Sequence, residues 1–321
     1  MRGQTHFFKA AGLHAAAILL LFGLQFVVPD YHHLVLTRVM VLAVFAMGYN
    51  LLFGYTGLLS LGHAMFFAAG LYGAGLAAFH LGWSVPAAFL AGIGCGFAAS
   101  VVIGLISLRT TGVAFMIVTM MFAQVAYLAS LYFTTYTRGE EGLVLPQAAR
   151  RFDLFGAGFD LTNPTVRYNI ALALLALTML IVFAIVRGPI GRTLIAIREN
   201  EPRTLMLGYD TFRLKLTALI VSGTLSAMAG AAYALLFGYI GSSFASIQYS
   251  IETLLFTLLG GAGTVLGPLI GTLAMFYMID IASEYTAAYL LVTGVMLILL
   301  VLFFPKGILG TIRERWMSWL P

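Results

Sequence analysis

The chain has 321 residues, 61% of them hydrophobic and 9% charged, with a mean hydropathy of +0.99. Water cannot solvate that much apolar surface, which excludes an ordinary soluble domain and makes lipid the solvent. The net charge of +5 does not point to nucleic acid, because the basic residues flank apolar runs instead of clustering on a soluble face.

In lipid every backbone polar group must be satisfied internally, which leaves helical bundles or closed barrels. The apolar runs are continuous and not alternating, so the chain reads as all-α, a polytopic transmembrane helical bundle of about ten spans. These fall at 10–28, 34–53, 58–80, 85–108, 112–134, 167–187, 216–240, 251–266, 268–284 and 288–304, mostly near the ~20 residues that cross ~30 Å of hydrocarbon. The first lacks a small-residue cleavage site after Val28 and reads as a retained span, not a signal peptide. The whole of 1–321 reads as one transmembrane domain with an outer loop at 135–166, a polar loop at 187–215 and a tail at 305–321.

Along the chain, the first unusual stretch is GYTGLLSLG (54–62), with three glycines where the second span ends. In the fourth span Gly92, Gly96, Ser100 and Gly104 recur every four residues, a groove that lets another helix approach closely; Gly263, Gly267 and Gly271 repeat the spacing later. The single Cys95 sits inside an apolar run and reads as a small packing residue. His63 and His80 have no carboxylate or cysteine at metal-ligand spacing and read as hydrogen-bonded packing residues. Ser60 and His63 share a face, but no nucleophile elbow or oxyanion element accompanies them, so no catalytic residue, metal or cofactor is assigned. Asn50 and Gln124 suit interhelical hydrogen bonds. Ser250 suits a helix cap, with Glu252 in the first turn behind it. LLGGAGTVLGP (258–268) packs four glycines before Pro268. Both glycine clusters are either tight hairpins or unwound, path-lining backbone of the sort found in transporters. As solute-path candidates they supply Gly54, Tyr55, Gly57, Ser60, Gly62, Gly260, Gly261, Gly263, Thr264 and Gly267. Asp280 and Glu284 lie near the outer end of the ninth span and meet water or a partner. Trp316 and Trp319, beside Arg313 and Arg315, fit a tail resting at the inner interface.

Orientation follows from lysine and arginine. The loop 187–215 holds Arg187, Arg192, Arg198, Arg203, Arg213 and Lys215; placed in the cytoplasm, it brings Arg2, Lys9, Arg109, Lys306, Arg313 and Arg315 inside by alternation, and both termini with them. Arg138, Arg150, Arg151 and Arg167 fall outside, with Arg38 near the outer end of the second span. Within the polar loop, Pro202 suits the start of a helix capped by Asn200 or Glu201, and Gly208 suits the position past its end. A short helix, 202–207, then exposes Leu205, Met206 and Leu207 within a rim of Arg198, Arg203 and Arg213. That is the shape of a plug for a groove on another protein. No phosphate-loop motif is present, so the chain cannot use ATP by itself.

Several long motifs carry a family resemblance, in order: MGYNLLFGYTGLLSLGHAMFFAAGLYGAG (47–75), GVAFMIVTMMFAQ (112–124), TRGEEGL (137–143), GRTLIAIRENEPRTLMLGYDTFRLKLTAL (191–219), LLGGAGTVLGPLIG (258–271) and FPKGILG (304–310). The chain resembles the permease subunits of branched-chain amino-acid ABC importers. It departs from the pattern at Arg138, where a glycine is expected. The resemblance implies a second related permease, two cytosolic ATP-binding subunits and an extracytoplasmic solute-binding protein as partners, in a bacterial inner membrane. It also implies a fold like the vitamin B12-type importer permeases. The polar loop becomes the ATPase-coupling element, with Arg198, Glu199, Glu201, Pro202, Arg203, Leu205, Met206, Leu207 and Gly208 as its residues. The competing readings are an ion-driven secondary transporter, for which the spans offer almost no titratable groups, and an importer permease for urea or short amides.

Overall fold

The computed structural model describes residues 2–154, 157–286, 288–304 and 306–315. In chain order the helices are α1 (Arg2–Leu24), α2 (Asp30–Asn50), α3 (Ala64–His80), α4 (Val85–Ser107), α5 (Val113–Tyr132) and the short α6 (Thr134–Thr137). They continue with α7 (Pro164–Arg187), α8 (Pro189–Met206), α9 (Thr211–Phe237), α10 (Ile247–Gly260), α11 (Gly267–Tyr285), α12 (Tyr289–Phe303) and α13 (Gly307–Arg315). Among the described residues, five stretches are long and apolar enough to cross a membrane: Asp30–Tyr55, Val85–Ser107, Val113–Tyr132, Pro164–Arg187 and Thr211–Phe237; Phe8–Leu24 and Ala64–His80 are apolar but shorter.

Glycine and alanine decide the packing. No hydrophobic force joins helices in lipid, so close backbone approach and dispersion must hold them. α9 carries SGTLSAMAGAA and is buried along most of its length between α2, α3 and α4. The predicted stripe Gly92, Gly96, Ser100 and Gly104 lies on the buried face of α4, and its remaining faces are largely open. A Cβ placed on Gly96 would sit 1.9 Å from that of Ala227. The second stripe holds only in part. Gly267 and Gly271 pack against the end of α10, whereas Gly263 lies outside any helix.

Two spans are shorter than expected for a common reason. The third begins at Ala64, not at 58, and the eighth ends at Gly260, not at 266, because the glycine clusters leave helical geometry there. α2 itself closes in a π turn, Leu51–Tyr55. The cap expected at Ser250 is instead Ser246, whose hydroxyl oxygen accepts from the Tyr249 N–H. Ser250 is fully inside α10, and its Oγ accepts from the Ala64 N–H at 2.8 Å, serving the first turn of α3. Glu252 consequently sits beyond the first turn.

The segment between α6 and α7 forms small antiparallel ladders that α-helical periodicity does not announce. β1 (Leu143–Val144) pairs with β4 (Tyr239–Ile240), and β2 (Arg151–Leu154) pairs with β3 (Ala157–Asp160). Arg150 fastens this segment to the bundle: its guanidinium donates to the carbonyls of Leu235, Leu236 and Leu161, satisfying groups left open at the end of α9. Hydrogen bonds from the Thr162 hydroxyl and amide hold the Asp160 carboxyl below its usual range. Arg138 adopts the left-handed conformation (φ 58°), which explains why a glycine is expected there; its guanidinium lies over Phe79.

α1 runs antiparallel to α7, with Leu21 accepting from the Tyr168 hydroxyl at one end and His14 near Arg187 at the other. The N-terminal part of α1, α8, both glycine clusters and α13 therefore share one end of the bundle. The β ladders, the start of α2 and the end of α11 share the opposite end. Trp316 and Trp319 lie outside the described residues.

Candidate functional site

The polar segment 187–215 is mainly helical. α8 covers Pro189–Met206 as two helices merged across Asn200, whose backbone (φ −162°, ψ 95°) is extended. The sequence expectation of a helix at 202–207 thus captured only the second piece and missed the first. The break has a chemical cause. Asn200 Oδ1 accepts from the Arg203 N–H at 2.9 Å, an N-cap on the new helix, and Pro202 falls where no intrahelical donor is needed. Gly208, at φ 87°, ends the piece.

At the tip, Leu205, Met206 and Leu207 are 52%, 81% and 71% exposed. These three consecutive apolar side chains on a short helix form an exposed apolar patch. At the base the same element is tied down. Lys215 Nζ meets Glu201 Oε1 at 2.6 Å, with the lysine side chain only 7% exposed. Arg198 donates through Nη1 to the Gly54 carbonyl and pairs through Nη2 with Glu199 at 3.0 Å.

Arg198 reaches Gly54 because the chain on the other side has no side chains in the way. A Cβ on Gly57 (φ +77°) would meet the Arg198 stem at 2.7 Å, and one on Gly54 would meet Asn50 Oδ1 at 2.1 Å and the Gly263 nitrogen at 2.4 Å. The two glycine clusters, 200 residues apart in sequence, are thus packed against each other. Asn50 holds them together: buried completely, it donates from Nδ2 to the Thr264 carbonyl and accepts at Oδ1 from the Gly263 N–H, both at 2.9 Å. Arg313, on α13, donates to the Gly263 carbonyl at 3.0 Å. Tyr55, Arg198, Gly263 and Arg313 line a cavity of about 210 Å³ at the centre of this junction. A wider cleft of about 470 Å³ opens between the Thr56–Gly57 turn, α8 and Lys215.

The structure therefore joins Gly54, Tyr55, Gly57, Gly263 and Thr264 with Arg198 and Glu201. Glu199 and Pro202 line the wider cleft, and Gly261 accepts from the Thr264 hydroxyl, whereas the remaining sequence-derived residues have other neighbours. Gly62 abuts the Thr119 carbonyl, Ser60 accepts from the Gly62 N–H, and Gly260 and Gly267 pack on each other. Gly261 contacts Gly310 of α13. His63 does not engage Ser60; its Nε2 lies 2.9 Å from Ser222 Oγ, inside rings of Phe45, Tyr49 and Phe66. Sequence reasoning singled out Asn50 only as an ordinary hydrogen-bonding residue and gave Arg313 and Lys215 no role at the site. An amide at the end of an otherwise apolar span was the one available signal.

Comparison with known proteins places this geometry in context. Residues 32–302 match the family described as branched-chain amino acid transport system / permease component. The chain is 27% identical over 301 residues to the high-affinity branched-chain amino acid transport system permease protein LivM of Escherichia coli K12, and 26% identical to LivM of Salmonella typhimurium; each alignment covers 87% of this chain and 70% of the relative. LivH of Escherichia coli K12 is 24% identical over 288 residues, covering 84% of this chain and 91% of LivH. No solved structure matches.

Proposed function

The chain belongs to the branched-chain amino acid transport permease family, and from that premise we propose that it is one permease subunit of an ABC importer in a bacterial inner membrane. It pairs with a related permease, as the likeness to both LivM and LivH suggests. Two cytosolic ATP-binding subunits supply the force, an extracytoplasmic receptor delivers the solute, and the solute is a branched-chain or related amino acid. In this reading the shorter and interrupted helices also cross the membrane, giving about ten spans with both termini inside.

One observation carries the reading. A single element, α8, is bare and apolar at its tip while its base is bonded to the Gly54 carbonyl of the first glycine cluster and to Lys215 of α9, and the second cluster is bonded in turn to Asn50 at the end of α2. The tip docks into an ATP-binding subunit, and closure of those subunits on ATP displaces it. Arg198 passes the displacement to Gly54, Asn50 passes it to Gly263, and α2 and α10 shift together, switching the access of the bundle. Arg198 accordingly acts in transmission, and docking falls to Leu205, Met206, Leu207 and Arg203.

The test is co-purification of the full permease with its ATP-binding subunit. Leu205→Asp with Met206→Asp removes apolar contact at the tip and touches no intrachain bond of the junction. The double variant should insert normally and lose the ATPase. Retention of the ATPase at the wild-type level would refute the assignment of the tip.

A further inference from the structure

Arg38 is a charge in an expensive place. It lies eight residues into α2, about 12 Å along the helix axis from Asp30 at ~1.5 Å per residue. Its side chain is exposed, it makes no ion pair or hydrogen bond among the described residues, and its guanidinium stands 5.7 Å from the Phe237 ring centroid. An ionised group inside a span is costly, and the cost is met by a partner, a water-filled path or a ligand.

The structure brings Asp280, from α11, to the same place. Both residues line one cleft of about 410 Å³ between α2 and α11, a volume within the ~300–1,000 Å³ of small-molecule sites. They do not pair with each other. The Tyr31 hydroxyl donates to Asp280 Oδ1, orienting the carboxylate, and Oδ2 has no partner among the described residues. Leu34 and Val35 on α2 and Phe276 and Ile279 on α11 give the same cleft its apolar lining, and Ser283 completes it. An unpaired guanidinium, a carboxylate oriented by Tyr31 and apolar lining are complementary to a molecule with a carboxylate, an ammonium and an aliphatic side chain. The guanidinium fork matches a carboxylate bidentately.

We propose that this α2–α11 cleft is a binding site for a zwitterionic aliphatic α-amino acid, Arg38 taking the carboxylate and Asp280 the ammonium. The proposal rests on the reading of the chain as an amino-acid permease and adds the place where solute is held near the receptor-facing end. A lipid phosphate or an acidic residue of the companion permease would satisfy Arg38 alone and would leave Asp280 without a role, so the two charges together separate these occupants.

The experiment is equilibrium binding to the full chain in nanodiscs, using three probes with one side chain: L-leucine, leucinamide and 4-methylpentanoate. Wild type should bind leucine about 10-fold or more tighter than either probe lacking a charge, the scale of one charge-assisted contact. Arg38→Gln should lower leucine affinity by a similar factor and abolish the preference over leucinamide. Asp280→Asn should abolish the preference over 4-methylpentanoate, and Arg38→Lys should retain part of the leucine affinity. Absence of a zwitterion preference in wild type, or leucine affinity unchanged in both neutral variants, overturns the proposal. That includes the case where the variants change only lipid retention or permease pairing. Co-purification with the ATP-binding subunit, measured on the same samples, tests the importer reading separately: its failure with leucine discrimination intact sinks the importer and leaves the site.

Discussion

Asn50→Leu is the sharpest probe of the junction. The substitution keeps the branched heavy-atom outline of the side chain and deletes both bonds to the Gly263–Thr264 turn, leaving a buried N–H and a buried carbonyl without partners. At ~1–3 kcal/mol for each buried group left unsatisfied, the turn loses about 2–6 kcal/mol relative to its opened form. With a factor of ten per ~1.4 kcal/mol, opening becomes between ~30-fold and ~20,000-fold more frequent. Hydrogen exchange reads this directly as lost protection of the amides of residues 261–266, while amides in the middle of α9, which Asn50 does not touch, should keep theirs. In the assembled importer the same variant should hydrolyse ATP with reduced solute movement, since the link from α2 to α10 is cut. Protection at 261–266 within threefold of wild type would refute the clamp and with it the transmission route.

Two further outcomes follow from local packing. Gly96→Val drives a branched side chain against Ala227 and forces α4 from α9, at ~1–3 kcal/mol or more; the melting temperature should fall, whereas Gly94→Val, on an open face of the same helix, should leave it unchanged. Arg138→Gly relieves a left-handed backbone that Arg138→Ala retains, so the glycine variant should be more stable than the alanine variant by about 1 kcal/mol in chemical denaturation, both having lost the contact with Phe79.

Lipid was legible in the composition, and so were the family and most helix positions, because burying backbone in hydrocarbon forces long continuous apolar runs. The four-residue stripe of α4 was legible for the same reason: only small residues permit that approach. The Gly208 stop was read correctly and the cap was narrowed to Asn200 or Glu201, of which the structure uses Asn200, because caps are local chemistry. Ser250 was misread because a hydroxyl next to a helical run looks like that helix's cap; only in space does its oxygen meet the first turn of α3. The first part of α8 was overlooked because GRTLIAIREN is polar enough to resemble a solvated loop, and its order comes from contacts with α7 and α9.

The sequence by itself settled the solvent, the helical class and the family, since each rests on patterns that local physics imposes on neighbouring residues. It also showed two glycine clusters and a handful of charges without saying how they related. Tertiary structure alone decided that Gly54 meets Gly263, that Asn50 bonds to Gly263 and Thr264 while Arg198 bonds to Gly54, and that Arg38 and Asp280 line one cleft. Those pairs are separated by hundreds of residues, and no periodicity within a helix encodes which turn will meet which when the bundle closes.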